Sequence, residues 1–200
     1  MTLKEMKTKT FALIEELYPE LANLAEDEDV INKINGVVNQ IQLDLMQFRK
    51  IPANDGFNLK LTDDHIIDLN EYKDLYQINR VVLKPDEPDM EKTFDFIDPV
   101  TLEINENFSG KVTIYYYKYP KLVETQFETD EERQEEDENF KFDIDTRLLE
   151  IMPYGIARDL LRLDMISNYG TYFERTYNEM IQRLDSRRTS GYVLVEGGID

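Results

Sequence analysis

The chain has no cysteine among its 200 residues and only one histidine, His65. Disulfides, thiolate metal sites and cysteine nucleophiles are therefore excluded together. A cysteine-free chain favours a reducing compartment over a small secreted scaffold. Basic residues are also scarce: 23 Lys plus Arg stand against 42 Asp plus Glu, a formal net charge of −19. Nucleic-acid groove binding needs a basic face that displaces counterions, and docking on an anionic membrane needs the same sign of charge. Both are disfavoured. Duplex DNA passing close by is not, because an acidic wall repels it and keeps it from sticking. No apolar run approaches the roughly 20 residues of a membrane span. Glu5, Glu15 and Glu16 interrupt the stretch where a signal peptide would be continuous, so a soluble protein made without export is expected. There is no glycine-rich phosphate loop, no nucleophile motif and no carboxylate pair with apolar flanks, so neither enzymatic activity nor a cofactor is expected.

What is present reads as a globular chain, with 41% hydrophobic and 11% aromatic residues. Thr2-Leu3-Lys4-Glu5 fits a capping box. The helix it opens carries Leu3, Met6, Thr10, Leu13 and Leu17 on one stripe, and Pro19 ends it. The acidic run Glu26 to Asp29 then suits a helix start, where the macrodipole favours negative charge. A cation site there would need the ligand spacing of an oxygen-donor loop, which does not follow. Ile31, Ile34, Val38, Ile41, Leu45 and Phe48 recur at three- and four-residue steps, which is one buried helix face. Gly36 within it suggests close packing.

After Pro52 the period changes to that of strands. Phe57–Leu61, His65–Leu69, Leu75–Leu83, Thr93–Ile97 and Val100–Ile104 are short β-like runs separated by turn material. Lys111–Tyr119 is the best formed, with Val112, Ile114 and Tyr116 on one face and Thr113, Tyr115 and Tyr117 on the other. A small antiparallel module with one wet face follows. His65 beside Asp63 and Asp64 could suggest a metal or a general base. Without a second histidine, and with adjacent strand residues facing opposite ways, a structural or surface role is preferred. Tyr115, Tyr116, Tyr117 and Tyr119 could stack bases, but only Lys111, Lys118 and Lys121 lie near, so aromatic packing of the strand is preferred.

The stretch Glu124 to Asp145 is dominated by carboxylates and is expected to be a mobile loop, with Phe140, Phe142 and Ile144 re-entering order as a short strand or anchor. Asp145 caps a short turn, Thr146 to Ile151, and Pro153 is placed at the first position of the next helix. That helix is apolar on two adjoining stripes, Ile156, Leu160, Leu163 and Ala157, Leu161, Met165, as expected of a helix buried on two sides. Gly170 closes it, and a last helix shows Phe173, Tyr177, Met180, Ile181 and Leu184 on one face. Between Arg147 and Arg188 the basic residues are all arginine, seven against no lysine, opposed by six carboxylates. This near-neutral hairpin in an acidic chain is a candidate interface, through Arg158, Arg162, Arg175, Arg183, Arg187 and Arg188. Intrahelical pairing, such as Arg158 with its acidic neighbours, is the competing reading. The tail Ser190 to Asp200, apolar at Tyr192, Val193, Leu194 and Val195, either frays or adds a strand to a neighbouring subunit.

The fold expected is thus α+β: four main helices in a small bundle, an inserted antiparallel β module and an extended C-terminal tail. Its segments are residues 1–52, N-terminal helices; 53–120, β insertion; 121–145, acidic loop; 146–188, helical hairpin; and 189–200, tail. One order of elements stands out. A strand, Val112 to Tyr119, ends in Tyr117-Lys118-Tyr119-Pro120 and leads through the acidic segment to Phe140-x-Phe142-x-Ile144-Asp145. Leu148 to Asp164, containing Pro153-Tyr154-Gly155-Ile156-Ala157-Arg158-Asp159-Leu160, and a second helix follow. This resembles the head-tail connector (adaptor, or head-completion) proteins of tailed bacteriophages.

The resemblance implies a non-enzymatic virion protein, made in the host cytoplasm and located at the head-tail junction. It further implies a homo-oligomeric ring, of twelve copies, docked under the portal protein. Such a ring extends the DNA channel and offers a platform to a tail or stopper protein, with DNA passing through without sequence-specific binding. On that reading Glu131, Glu132, Glu135 and Glu136 form an acidic loop that can face the channel. The competing function is an acidic protein-binding module or DNA mimic, resting on the net charge and the run from Glu124 to Glu138.

Overall fold

The computed structural model describes residues 1–53, 56–61, 65–87, 93–98, 101–105, 108–164 and 169–185, with backbone alone at 163, 164 and 185. The protein is α+β, with helices and two antiparallel sheets, and it divides into two compact units. The helical unit is Met1–Phe48 together with the chain from Leu122 onward; the β unit is Arg49–Lys121.

In the helical unit, α1 spans Leu3–Leu17 and opens on the capping box: the Thr2 hydroxyl accepts from the Glu5 amide at 3.2 Å and the Glu5 carboxylate from the Thr2 amide at 2.8 Å. Pro19 starts a 3-10 segment, Pro19–Glu26. Asp27 then caps α2, Glu28–Met46, by accepting from the Asp29 and Val30 amides. Gly36 lies on the exposed side of α2, with no atom within 4 Å of where a Cβ would stand, so the close packing expected there does not occur. The close approach falls instead at Gly155, where a Cβ would lie 2.7 Å from the Tyr177 ring and 3.0 Å from Ile41.

Three further helices complete this unit: α3, Asp130–Asn139; α4, Thr146–Asp164; and α5, Gly170–Asp185. Helix α4 packs on α1, α2 and α5, which accounts for its two apolar stripes. Ile14, Ala157, Leu161 and Phe173 form one buried cluster, with Phe11, Tyr18 and Tyr154 against it. Two sequence-based boundaries are corrected. Pro153 lies inside α4 rather than at its start, so the turn at Thr146 to Ile151 and the helix after it are one continuous element. A proline removes only one amide donor, and the burial of Leu148, Met152, Ile156 and Leu160 on both sides of it keeps the helix going. Gly170 begins α5 instead of closing α4.

The β unit comprises β1 (Ile51–Pro52), β2 (Phe57–Leu61), β3 (Ile66–Asp68), β4 (Leu75–Pro85), β5 (Phe94–Asp98), β6 (Thr101–Ile104) and β7 (Gly110–Lys118). β7 is the central strand of a four-stranded antiparallel sheet, with β1 and β2 on one side and β4 on the other. Gly110 pairs with both Leu61 and Pro85 and has φ of +151°, where a side chain would be strained. β3, β6 and β5 form a second, three-stranded antiparallel sheet. Leu61, Ile67, Leu69, Leu102, Ile104, Phe108, Val112 and Ile114 are the buried core of this unit. Alternation along the strands predicts Ile67, Leu102, Ile104, Val112 and Ile114 in this core, whereas Phe108 enters it from a stretch read as a turn and Phe96, in the same alternation, is exposed.

Candidate functional site

The acidic segment is not a loop throughout. Residues Asp130–Asn139 form α3, and Glu131, Glu132, Glu135 and Glu136 all lie on it. The Thr129 hydroxyl accepts from the Glu132 amide at 3.2 Å, and Asp130, Glu131 and Glu132 occupy the first turn, at the positive end of the helix dipole. Tertiary contacts supply what the uniformly polar sequence lacks. Lys7 on α1 binds Asp137 at 2.7 Å and Lys4 binds Glu138 at 3.0 Å. Arg133 donates to Asn32 on α2 at 3.2 Å and stands 3.5 Å from Asp130. Beyond the helix Phe140 is buried, and its carbonyl accepts from the Leu3 amide while Lys141 bridges to Thr2. The Thr129-x-x-Glu132 pattern was the available sequence signal.

Helix α3 lies along α1 and thereby creates a groove of about 650 Å³. Phe11, Ala12, Ile31 and Ile34 give it apolar surface, and Lys4, Lys7 and Arg133 face Glu15, Asp130 and Asp137 around it. Lys7 is largely covered, and its desolvation lowers its pKa despite the opposing pull of Asp137. Three cations against three carboxylates make this groove neutral within a strongly acidic chain.

A second feature that sequence reasoning missed is a polar clamp on α2. The Asn39 side chain both donates to the Val123 carbonyl and accepts from the Val123 amide, each at 2.8 Å. Asn35 donates to the Glu124 carbonyl at 2.8 Å, and Gln42 reaches Asn39 at 3.4 Å. These residues recur at positions i, i+4 and i+7, one face of the helix. Their backbone bonds hold the extended chain that leads from β7 to α3. A polar stripe beside an apolar one was the signal.

The hairpin arginines divide by partner. Arg158 donates bidentately to Asp159, from Nε at 2.6 Å and Nη2 at 2.8 Å, and its guanidinium lies 4.6 Å from the centre of the Tyr177 ring. The bond to Asp159 raises its pKa further against the effect of burial. Arg162 joins α4 to α5 through Glu174 at 2.6 Å, and Arg175 pairs with Glu179 within α5 at 2.9 Å. Intramolecular pairing thus accounts for these three. Arg158 is mostly covered at 14% exposure, whereas Arg162 and Arg175 retain 48% and 80%. Arg183 lines a hollow of about 320 Å³ with Arg147, Glu150, Ile151, Met180 and Leu184, at the end of the hairpin. Arg187, Arg188, Tyr192, Val193, Leu194 and Val195 lie outside the described residues.

The tyrosines of β7, and Tyr119 just after it, are engaged within the β unit. Tyr115 lies under Arg80 at 4.5 Å, Tyr117 under Lys50 at 5.3 Å, and Tyr119 meets the edge of Tyr76 at 5.2 Å. The Tyr116 hydroxyl reaches Asp74 at 3.3 Å, and burial raises its pKa with that carboxylate adding to the shift. His65 lends its backbone carbonyl to the Ile104 amide, and Asp63 and Asp64 lie outside the described residues. Among the described residues, no cluster of three or more His, Asp or Glu is arranged to hold a metal, and no helix is long and apolar enough to cross a membrane. The chain matches no protein-family model and no curated protein.

Proposed function

We propose that the protein is a structural component of a phage virion, a head-tail connector that forms a ring under the portal. The ring extends the DNA channel and gives the tail or stopper protein its platform. The observation that carries this reading is the succession of elements. N-terminal helices, an antiparallel insertion, a strand ending at Tyr119-Pro120, an acidic segment and a two-helix hairpin follow in the order of the resembled family. The helices α1, α2, α4 and α5 serve as the four-helix bundle, and the chain after Asp185 is its extended tail. Arg162 and Arg175, exposed despite their internal partners, and the exposed Arg147 and Arg183 are hairpin cations able to reach a neighbouring subunit. Exposed carboxylates suit a channel wall along which DNA slides without sticking.

Electron microscopy of the purified protein mixed with portal rings tests this. A ring of density added beneath the portal, of twelve copies, is expected; a chain that stays monomeric and leaves portal rings bare would overturn the reading. Deleting Ser190–Asp200 is expected to weaken portal binding while the far-ultraviolet circular dichroism keeps its helical signature. Full-strength binding by the truncated protein sinks the idea that the tail clasps its partner.

One observation favours an acidic protein-binding module, or DNA mimic, as the second reading. A mimic needs its carboxylates at fixed spacing, and Glu131, Glu132 and Glu135 are exposed on a capped helix. Replacing Glu131, Glu132, Glu135 and Glu136 by Gln should abolish binding to a nucleic-acid-binding protein on this reading. On the connector reading it leaves ring assembly largely intact.

A further inference from the structure

We propose that the outer face of the four-stranded sheet binds single-stranded nucleic acid, with Lys60, Lys84 and Lys111 on the phosphates and Tyr115 and Tyr117 against the bases. The register builds this face. Side chains alternate along a strand, so Val112, Ile114 and Tyr116 of β7 turn to the core of the β unit while Lys111, Thr113, Tyr115 and Tyr117 turn away from it. Lys111 pairs with Lys60 of β2 on one side and with Lys84 of β4 on the other, which sets three exposed lysines in one row across three strands. Further along, Arg80 pairs with Tyr115 and lies 4.5 Å over its ring, and Lys50 lies 5.3 Å over that of Tyr117. Asn58 and Thr113, bonded at 2.7 Å, lie between the lysine row and the rings.

Like charges directly opposite on neighbouring strands destabilise a sheet. The three lysines nevertheless stand on strands about 5 Å apart, and none of them has an ion pair with another described residue. No Asp or Glu holds a paired position on this face, in a chain with 42 of them. Asp86 and Glu87 follow just after β4, and Asp86 accepts from the Ser109 hydroxyl at 3.0 Å. An anionic polymer laid along the row offsets the repulsion. The rings single out nucleic acid among the polyanions, because a four-stranded sheet that presents aromatic side chains is a platform on which bases stack, and a guanidinium plane such as that of Arg80 stacks on them too. An acidic peptide would use the lysines and leave the rings idle. The net charge of −19 opposes a nucleic-acid partner for the chain as a whole, but exposed charges farther off than about 10 Å are largely screened at 0.1 M salt, so the local cations decide. This inference concerns the β unit alone and does not depend on the connector reading.

Fluorescence anisotropy of a labelled oligothymidylate of about 12 nucleotides, titrated with the full chain, tests the proposal. Saturable binding is expected, weakening roughly 20- to 100-fold between 50 and 200 mM salt, as three to five phosphate contacts require. The variant carrying Lys60→Gln, Lys84→Gln and Lys111→Gln should bind about tenfold or more weakly and with a shallower salt dependence. Its thermal melt should lie no lower than the parent's, because the repulsion within the row is gone. Tyr115→Leu, with its fold checked by circular dichroism, should bind about fivefold or more weakly, a loss that charge alone would not give. Absence of binding at the low salt concentration would overturn the proposal, as would a triple lysine variant that binds like the parent. Displacement of the oligonucleotide by polyglutamate at equal charge, together with parent-like binding by Tyr115→Leu, would overturn it too and assign the face to an acidic protein segment.

Discussion

Tyr177 on α5 is 5% exposed, and its burial raises the phenol to about 12, with Arg158 opposing the shift and Asp44 and Asp159 adding to it. In the unfolded chain the same group titrates at about 10. The neutral phenol is the form that the fold favours, so its contribution is complete below pH about 10 and is lost as the pH climbs to about 12. The loss is on the order of 2–3 kcal/mol. Denaturant midpoints of the parent and Tyr177→Phe at about pH 8, below that window, and about pH 11.5, near its upper end, should show the parent losing more stability than the variant. An equal loss in both would remove Tyr177 as the cause. Two glycines give a second residue-scale contrast. Gly36→Ala should stabilise the protein by about 0.5–1 kcal/mol, since the helix gains and no neighbour is touched. Gly155→Ala should cost about 1–3 kcal/mol, because the methyl meets the Tyr177 ring and Ile41. Thermal melts of both variants check the opposite signs. The sequence shows a glycine inside α2 and another inside α4; which one faces a neighbour is a tertiary fact, and the expectation of close packing at Gly36 failed for that reason.

At the scale of elements, legibility followed the source of stabilisation. α1, α2 and the strands β2, β3, β4, β6 and β7 announce themselves through apolar periodicity, because burial of that face is what forms them; β5 carries the same alternation but buries none of its residues. α3 has no buried residue and no apolar stripe, so its sequence resembles a solvated loop. It depends on its Thr129 cap and on ion pairs to residues more than a hundred positions away in sequence. The groove was illegible for the same reason, since it exists only once α3 lies on α1. The Lys7–Asp137 pair makes this testable. Asp137→Ala leaves the Lys7 ammonium covered and without its main partner, at a cost of about 1–3 kcal/mol. The double variant Lys7→Met with Asp137→Leu removes both charges and should be less destabilised than Asp137→Ala alone. Thermal melts of the parent, Asp137→Ala and the double variant decide it; a double variant no more stable than Asp137→Ala would show that the uncompensated Lys7 charge is not what the single variant loses.

At the scale of the whole molecule, each unit has a buried cluster of its own. The cluster around Leu102, Phe108 and Ile114 draws only on the β unit, and that around Ile14, Leu161 and Phe173 only on the helical unit. Two cores of this kind favour two unfolding transitions over one. Gly110 offers a way to weaken one unit alone. A methyl there would stand 2.3 Å from the Lys84 carbonyl oxygen, and the backbone lies at φ of +151°, so the strand pairing of β7 with β2 and β4 must give at that point. The strained backbone costs about 1–3 kcal/mol before the clash is counted. Hydrogen exchange of Gly110→Ala should therefore show lost protection at Val112, Ile114, Leu102 and Ile104, with Ile34, Ile41, Ile156 and Leu160 protected as in the parent. Equal loss across both sets would mean that the units unfold as one. Retained protection in the helical set would make the β unit a replaceable insertion on a self-sufficient helical frame, one that can vary without rebuilding the part that carries the hairpin.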